Sequence, residues 1–535
     1  LLQSRDDTAA VLRKEDFMSW QKEVDELLRR KMLAEEMGGA EGIARQRRRG
    51  KLTARERLAL LADPDSFREI MALTGEGLYE NGEFNGFIPK PFVNGTIAID
   101  GRKAFVTAGD FTVRGGSGGG RHGDIGQELS LAERVIEWQL PYIRLLDSAG
   151  GSVQSFEEIG RTYVPDGNAF SQYDVRLLSL VPTVSAVLGS AAGLPAIDAC
   201  LSHFSVMVKD IGQIFPGGPP VVKAALGIDI TKEKLGGDEI HTRISGCIDN
   251  VAETEIDAFS QIRRFLSYLP SNVNEAAPRG PTDDDPSRRE EALLTIVPRN
   301  RRQIYDAHKL LNMVVDKDSF FEIAPLYGRA RITGLARIDG YPVGIMANNP
   351  RHYGGSTDVA AGAKVVRLIQ LCDTFHLPLI SLADEPGFMV GPESEKLGIE
   401  RAGARLVASV CNSHMPWITI VIGKLYGVGG QCHHRPSGMF RRYVWPSAHW
   451  GSMHITGGVS AAYRREIEAA ADPDAKRREI EARLEALASP FRTAEATGQD
   501  IIDPRETRIH LVEFVHDAQR ILAGQVGPPR FPYLP

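Results

Sequence analysis

The groups in this chain best suited to chemistry belong to its backbone. In 418–430, ITIVIGKLYGVGG, a β-branched run ends at Gly423, and Gly427, Gly429 and Gly430 then leave a loop nearly free of Cβ atoms, where main-chain N–H groups can point at a ligand. A cruder copy lies earlier, in 184–196, VSAVLGSAAGLPA, where the run ends at Gly189 and continues through Ala191, Ala192 and Gly193. Two such loops suggest two facing sites. Each half also carries an aspartate-glycine turn at a strand end, Asp147-Ser-Ala-Gly-Gly151 and Asp384-Glu-Pro-Gly387. Singly these are turn chemistry. In register with the two loops, they point to a site at strand ends, where α/β folds bind ligands.

Other candidates are weaker. The run 115–120, GGSGGG, with Arg121 and His122 after it, lacks the G-K-[ST] ending of a phosphate loop, and a mobile loop is the plainer reading. His433 and His434 are adjacent and project differently, with no third ligand placed by sequence, so a metal site is the minority reading. There is no H-E-x-x-H, G-x-S-x-G or kinase signature. Glycine loops without an evident acid, base or metal suit a reaction in which backbone N–H groups stabilise oxyanions and a cofactor supplies the proton chemistry.

The elements that must position these loops come in two sets. DSFREI at 65–70 returns as DSFFEI at 318–323, GTIAIDG at 95–101 as GLARIDG at 334–340, and YIRLLD at 142–147 as LISLAD at 379–384. With the loops, that makes four collinear matches at a slowly drifting offset, which internal duplication explains economically. Each copy alternates β-branched strands with helix-length segments, 124–139 and 360–375, the pattern of an α/β fold. The Pro-, Asp- and Arg-rich stretch 271–291 reads as the linker between copies. Before the first copy, 17–50 reads as a charged amphipathic helix ending in a basic cluster, Arg45, Arg47, Arg48, Arg49 and Lys51. The cluster is either a solvated face or a holder of an acidic group such as phosphate. Thr53 to Glu56 has capping-box spacing, and Asp63-Pro64-Asp65 closes the helix that follows. A charged helix over 462–488 interrupts the second copy, and the chain ends in a Pro-rich tail.

Composition excludes several classes. A chain of 535 residues with net charge −6 exceeds one ordinary core and carries no global footprint for nucleic acid or anionic membrane. Its five cysteines form no C-x-x-C pair, which fits a reducing compartment and implies neither zinc ribbon nor disulfide framework. No run approaches a membrane span, and the N-terminus lacks the apolar core of a signal peptide.

The sequence resembles the carboxyltransferase (β) subunit of biotin-dependent acyl-CoA carboxylases, the propionyl-CoA and methylcrotonyl-CoA carboxylase family. The resemblance rests on KLTARERLALLADPDSF (51–67), GDFTVRGGS (109–117), LGGDEIH (235–241), DEPGF (384–388), GIERAGARL (398–406), GKLYGVGG (423–430) and YVWPSA (443–448), in collinear order over nearly the whole chain. It implies two tandem crotonase-like domains of ββα superhelix type: an N-terminal helical segment (1–50), an acyl-CoA domain (51–285) and a biotin domain (286–535). It also implies a hexamer whose site lies between the first domain of one subunit and the second of another. Biotin would arrive on a separate carrier domain, with a biotin carboxylase as further partner, because no biotinylation motif or ATP-grasp region is present. No metal, nucleic acid or membrane is implied, and the setting would be cytoplasmic, or mitochondrial matrix in a eukaryote.

By the same resemblance, carboxybiotin supplies CO₂ and a base for the α (or vinylogous) carbon of the acyl-CoA, and two oxygens gather negative charge. Gly427, Val428 and Gly429 would hold the biotin ureido oxygen, with Tyr426 and Gly387 lining the biotin side. Gly193 and Leu194 would hold the thioester enolate. Losing one such donor typically costs about 3 to 4 kcal/mol in the barrier. Gly150 and Gly151 would line the acyl-CoA side, and Arg49 and Lys51 would meet its phosphates. Two departures stand out: Pro195, which has no N–H, falls in the first loop, and Gln431 replaces an acidic residue in the second, implying a nonstandard acyl group. The alternatives are a biotin-dependent acyl-CoA decarboxylase α subunit and a degenerate assembly partner.

Overall fold

The structure, a computed structural model, describes residues 19–117, 131–151, 153–162, 168–300 and 303–535. Two mixed sheets carry the repeats. The first runs in the order Arg68–Ile70, Phe92–Ile99, Arg102–Gly109, Tyr142–Ser148, Thr183–Ala192, Phe204–Val208, Asn250–Ala252, with Gln213–Phe215 also on Thr183–Ala192. The second runs Phe321–Glu322, Arg331–Ile338, Tyr341–Asn348, Leu379–Glu385, Trp417–Tyr426, Phe440–Val444, with His449–Gly451 on Trp417–Tyr426. The second repeats the order of the first, short of a counterpart to the edge strand Asn250–Ala252. An antiparallel hairpin leads each sheet into parallel strands.

The repeated motifs have repeated jobs. Asp100-Gly101 and Asp339-Gly340 both have positive φ, as the tight two-residue turns of hairpins require. The Asp63 carboxylate takes the N–H groups of Asp100 and Gly101, and Asp316 takes those of Asp339 and Gly340. Ser66 and Ser319 of the two D-S-F motifs each bond the carbonyl of those same aspartates at 2.7 Å. The capping box at Thr53 and Glu56 forms as its spacing predicts.

The main hydrophobic core draws on both sheets, with Phe204, Phe265 and Phe321 in mutual ring contact. The Asp249–Arg367 ion pair crosses between the halves. Tyr533 of the Pro-rich tail is buried there, its ring 4.5 Å from that of His203.

Three element expectations change. The segment 17–50 is two helices, Gln21–Glu35 and Gly39–Arg48, because Gly38 packs so tightly on Thr112 that a Cβ would collide with its carbonyl. The charged stretch 462–488 is divided at Asp472-Pro473 into Arg464–Glu468 and Pro473–Leu487. The linker has little regular structure, but Asp284 within it is buried against Arg288 and Arg508. Of the helix expected over 124–139, Leu131–Trp138 is seen; 124–130 lie outside the described residues, as do Gly118 to His122.

Candidate functional site: two donor loops over buried carboxylates

In each half, the strand ending in the aspartate turn (Tyr142–Ser148; Leu379–Glu385) lies parallel to the strand ending in the glycine loop (Thr183–Ala192; Trp417–Tyr426). The register shifts between Leu146 and Ser148, and again between Ala383 and Glu385, so Asp147 and Asp384 sit at equivalent bulges. Ser148 pairs with Ala191 and Glu385 with Leu425. Counting on from those pairs makes Gly193 equivalent to Gly427, Leu194 to Val428, Pro195 to Gly429, and Gly150 to Gly387. Gly189 and Gly423 are equivalent too, and for one reason: a Cβ on either would collide with the carboxylate of Asp147 or Asp384.

Beneath the first loop, Asp147 is fully buried and held by Lys51 Nζ (2.8 Å to each oxygen), Gln46 Nε2 (2.9 Å) and Arg57 (3.1 Å). Arg57, also fully buried, pairs with Glu255 at 2.7 Å and donates to the Leu188 carbonyl at 2.8 Å. Two cations thus face two carboxylates, the arrangement in which removing one partner strands a buried charge. Burial lowers the Lys51 pKa, opposed by Asp147. Beneath the second loop, Asp384 accepts the Lys424 N–H at 2.7 Å, and its Nζ lies 3.6 Å away.

The turns meet the loops directly. A Cβ on Gly150 would strike the Ala192 carbonyl, and one on Gly429 would lie 3.0 Å from Gly387 Cα and 3.2 Å from Phe388 N. Gly193 and Gly427 both have left-handed φ, +68° and +59°, as each loop turns into a short helix (Leu194–Cys200; Gly427–Gln431). That leaves first-turn N–H groups exposed to a ligand.

The two loops are unequal in donors. Among the described residues, the N–H groups of Gly427, Val428, Gly429 and neighbouring Phe388 have no acceptor. In the first loop, Gly193 donates to the Phe215 carbonyl at 3.1 Å and Pro195 has no N–H, so Leu194 alone is left. A cavity of about 740 Å³ opens beside the second loop, walled by Val407, Val410, Leu425, Val428, Gln431 and Trp450 among others. Its described lining comes from the second half alone.

Several expected residues sit elsewhere than expected. Lys51 is buried and bonded to Asp147 instead of facing solvent; Arg49 is exposed, its guanidinium 5.8 Å from the Phe111 ring centroid. The Gly193 N–H donates within the protein, to the Phe215 carbonyl. The Tyr426 side chain is buried against His449 and His454, so only its backbone borders the loop. Gly150 and Gly387 shape the turns, while Gly151 is exposed with nothing near its Cβ direction. Among the described residues, no group of three or more potential ligands could hold a metal ion.

Sequence reasoning missed Gln46, Arg57 and Glu255 around Asp147. It also missed Arg331 and Asn348, and that Glu385 and His433 join them in a buried polar cluster under the second loop. Their partners lie tens of residues away, so no local spacing announces them.

The carboxyl transferase domain family matches residues 45–520. The propionyl-CoA carboxylase carboxyltransferase subunit of Haloferax mediterranei is 36% identical over 505 residues, 92% of this chain and 96% of that one. The methylmalonyl-CoA decarboxylase α subunit of Veillonella parvula is 34% identical over 488 residues, 90% of this chain and 93% of that one. Among solved structures, transcarboxylase 12S, described as a hexamer with methylmalonyl-CoA bound, superposes with a TM-score of 0.82 at 32% identity, covering 94% of this chain and 96% of that one.

Proposed function

The chain belongs to the carboxyl transferase domain family and is a carboxyltransferase of the biotin-dependent acyl-CoA kind; from that premise we propose how its two loops divide the work. The second loop holds the ureido oxygen of biotin through the N–H groups of Gly427, Val428 and Gly429, joined by Phe388. The first loop holds the acyl thioester oxygen through Leu194. When bound, carboxybiotin supplies CO₂ and the base. This chain supplies fixed N–H dipoles where negative charge gathers, with no reorganisation at the moment of reaction.

The observation that carries the reading is the convergence of Gly429 on Gly387 and Phe388, where the absence of a Cβ lets four unpaired N–H groups line one cradle. The acyl-CoA domain is 51–285 and the biotin domain 286–535, with 1–50 a helical segment that carries Arg49 toward the CoA phosphates. Because the second-loop cavity is lined by one half only, the site is completed by the first half of another copy, in a hexamer such as that of transcarboxylase 12S. Gln431 walls this cavity where the family resemblance leads one to expect an acidic residue, and this supports a nonstandard acceptor.

The same geometry serves both directions, and the similarity to the Veillonella parvula decarboxylase subunit supports the reverse reading. Copurification of the biotinylated partner, then labelled bicarbonate fixation with ATP across an acyl-CoA panel, decides between them. The forward reading expects a biotin carboxylase in the complex and label in one or more acyl-CoAs of the panel. A membrane sodium-pump partner with decarboxylation alone overturns the direction. A bound carrier with no exchange on any acyl-CoA overturns the enzymatic reading.

A further inference from the structure

Glu385 ends its strand fully buried, and its Oε1 accepts the Gly387 N–H at 2.9 Å. Its Oε2 accepts from Thr357 Oγ1 at 2.6 Å, Asn348 Nδ2 at 3.0 Å and the Arg331 guanidinium. Burial opposes its charge, but Arg331, His433 and Thr357 outweigh burial and hold its pKa at about 2. Glu385 is therefore a fixed carboxylate whose free end clamps the Gly387 turn.

His433 follows the second loop's helix and is just as buried. Its Nδ1 bonds Ser381 Oγ at 2.6 Å, and its carbonyl accepts from Thr419 Oγ1 at 2.5 Å. Ser381 and Thr419 sit side by side on the aspartate and loop strands, so the loop's far end is pinned to both. Burial, then Arg331, pushes the imidazole pKa down to about 4, so it is neutral at physiological pH. Among the described residues its Nε2 has no hydrogen-bond partner; it lies 3.7 Å from Glu385 Oε2, just beyond hydrogen-bond reach. An unpaired buried N–H costs on the order of 1 to 3 kcal/mol unless something uses it. Among the described residues the first half has no such device: Ser148 caps the Gly150 N–H at 3.2 Å, and Arg144 and Ser185 hold the corresponding helix end through carbonyls.

We propose that His433 is a positioning residue for carboxyl transfer, its Nε2 closing onto Glu385 so that the Gly387–Phe388 turn and the Gly427–Gly429 loop present their N–H groups as one rigid cradle. This rests on the second loop being the biotin side. His433 belongs to the inner wall of the second-loop cavity and, in this proposal, acts through Gly387 and Gly429. Catalytic hydrogen bonds are often long in ligand-free structures and tighten in the complex, as a 3.7 Å gap between fixed neighbours allows.

The two ring nitrogens can be tested apart. His433→Gln keeps an amide able to reach Glu385, His433→Asn keeps a partner for Ser381, and His433→Leu keeps neither. In the complete enzyme with its biotin carrier, His433→Leu should lower kcat ten- to a hundredfold, with KM for acyl-CoA within about twofold. The Gln variant should recover most of that loss and the Asn variant little. Amide hydrogen exchange, read without turnover, should quicken at least tenfold at 387–389 and 427–430 in the Leu and Asn variants, and stay unchanged at the first loop. Recovery by Asn but not Gln, or an unchanged kcat in the Leu variant, overturns the proposal. So does exchange that quickens equally in both halves, the mark of general destabilisation. Absence of turnover in the wild-type enzyme would instead count against the enzymatic reading, and undiminished turnover in Gly429→Pro against the biotin-side one, while the exchange comparison would still judge the His433–Glu385 clamp.

Discussion

At the scale of single residues, this protein holds its loops with ionisable groups taken out of water, and that should show in its pH dependence. His203 is buried with Nδ1 accepting the Thr183 N–H at 3.0 Å and Nε2 meeting the Leu178 carbonyl at 2.9 Å, so the neutral tautomer with its proton on Nε2 satisfies both neighbours. A second proton would have to sit between Nδ1 and a competing N–H. Burial, with Arg367 nearby, pushes its pKa down to about 3, and burial pushes His433 down to about 4. Both folded values lie below the unfolded one of about 6.5, so the unfolded chain binds these protons first, and stability present above pH 6.5 is lost as pH falls. Each histidine contributes up to about 1.4 kcal/mol per pH unit in that window. The thermal midpoint should therefore fall steeply between pH 6.5 and pH 4.5, and His203→Gln should flatten the slope while lowering the midpoint at pH 7.5. A parallel slope in wild type and variant would show that His203 carries none of the acid sensitivity.

At the scale of elements, one strand-turn-strand-loop unit is used twice with different donor sets. Strand register makes Pro195 the counterpart of Gly429, so the first loop lacks the donor that sits at the heart of the second. Pro195→Ala restores an N–H at a helix N-terminus, where proline and alanine are both tolerated. If Leu194 stabilises the thioester oxygen alone, the added donor should raise kcat with KM little changed, by a factor well under the hundred- to thousandfold that a dedicated oxyanion donor commands. Gly429→Pro should abolish transfer, since it removes a donor and drives ring atoms into Gly387. An unaffected kcat in the first variant would mean that the acyl oxygen is held elsewhere; in the second, that this loop is not the biotin side. Much of this element was legible in the sequence: the paired glycine runs, the Asp-Gly turns and the missing N–H of Pro195 are local signals. What was not legible depends on distance along the chain. Lys51 looked like part of a solvated basic run because Asp147, its partner, lies 96 residues on. The Gly193 N–H looked free because the carbonyl that takes it belongs to Phe215, on a short strand that closes the sheet. Glu385 read as turn chemistry and His433 as half of a doubtful metal pair, because nothing in their spacing shows that they meet.

At the scale of the whole molecule, duplication has not produced two independent bodies. The largest core cluster takes side chains from both sheets, and the charged Asp249–Arg367 pair and the tail's Tyr533 lie between them. Phe265, on the helix Glu255–Ser267, is stacked on Phe204 of the first sheet at 4.9 Å and touches Phe321 of the second at 6.4 Å between ring centroids. Separate domains joined by a flexible linker would unfold in steps. Here, unfolding either half would expose the shared apolar surface of the other and strand the buried Asp249 carboxylate, which together cost more than a half could retain by itself. The expectation is one cooperative transition. Phe265→Ala, which leaves a cavity at the junction, should cost about 3 to 5 kcal/mol. Its effect should be seen equally by probes in both halves, including the buried Trp417 and Trp445 of the second half, more than 150 residues along the chain. The measurement is denaturant unfolding followed by tryptophan emission, and by hydrogen exchange of the strands Phe204–Val208 and Trp417–Tyr426. Coincident midpoints that shift together in the variant support a single folding unit. Two transitions, with the tryptophan signal unmoved by Phe265→Ala, would mean that the halves fold separately and that the common core forms only on docking.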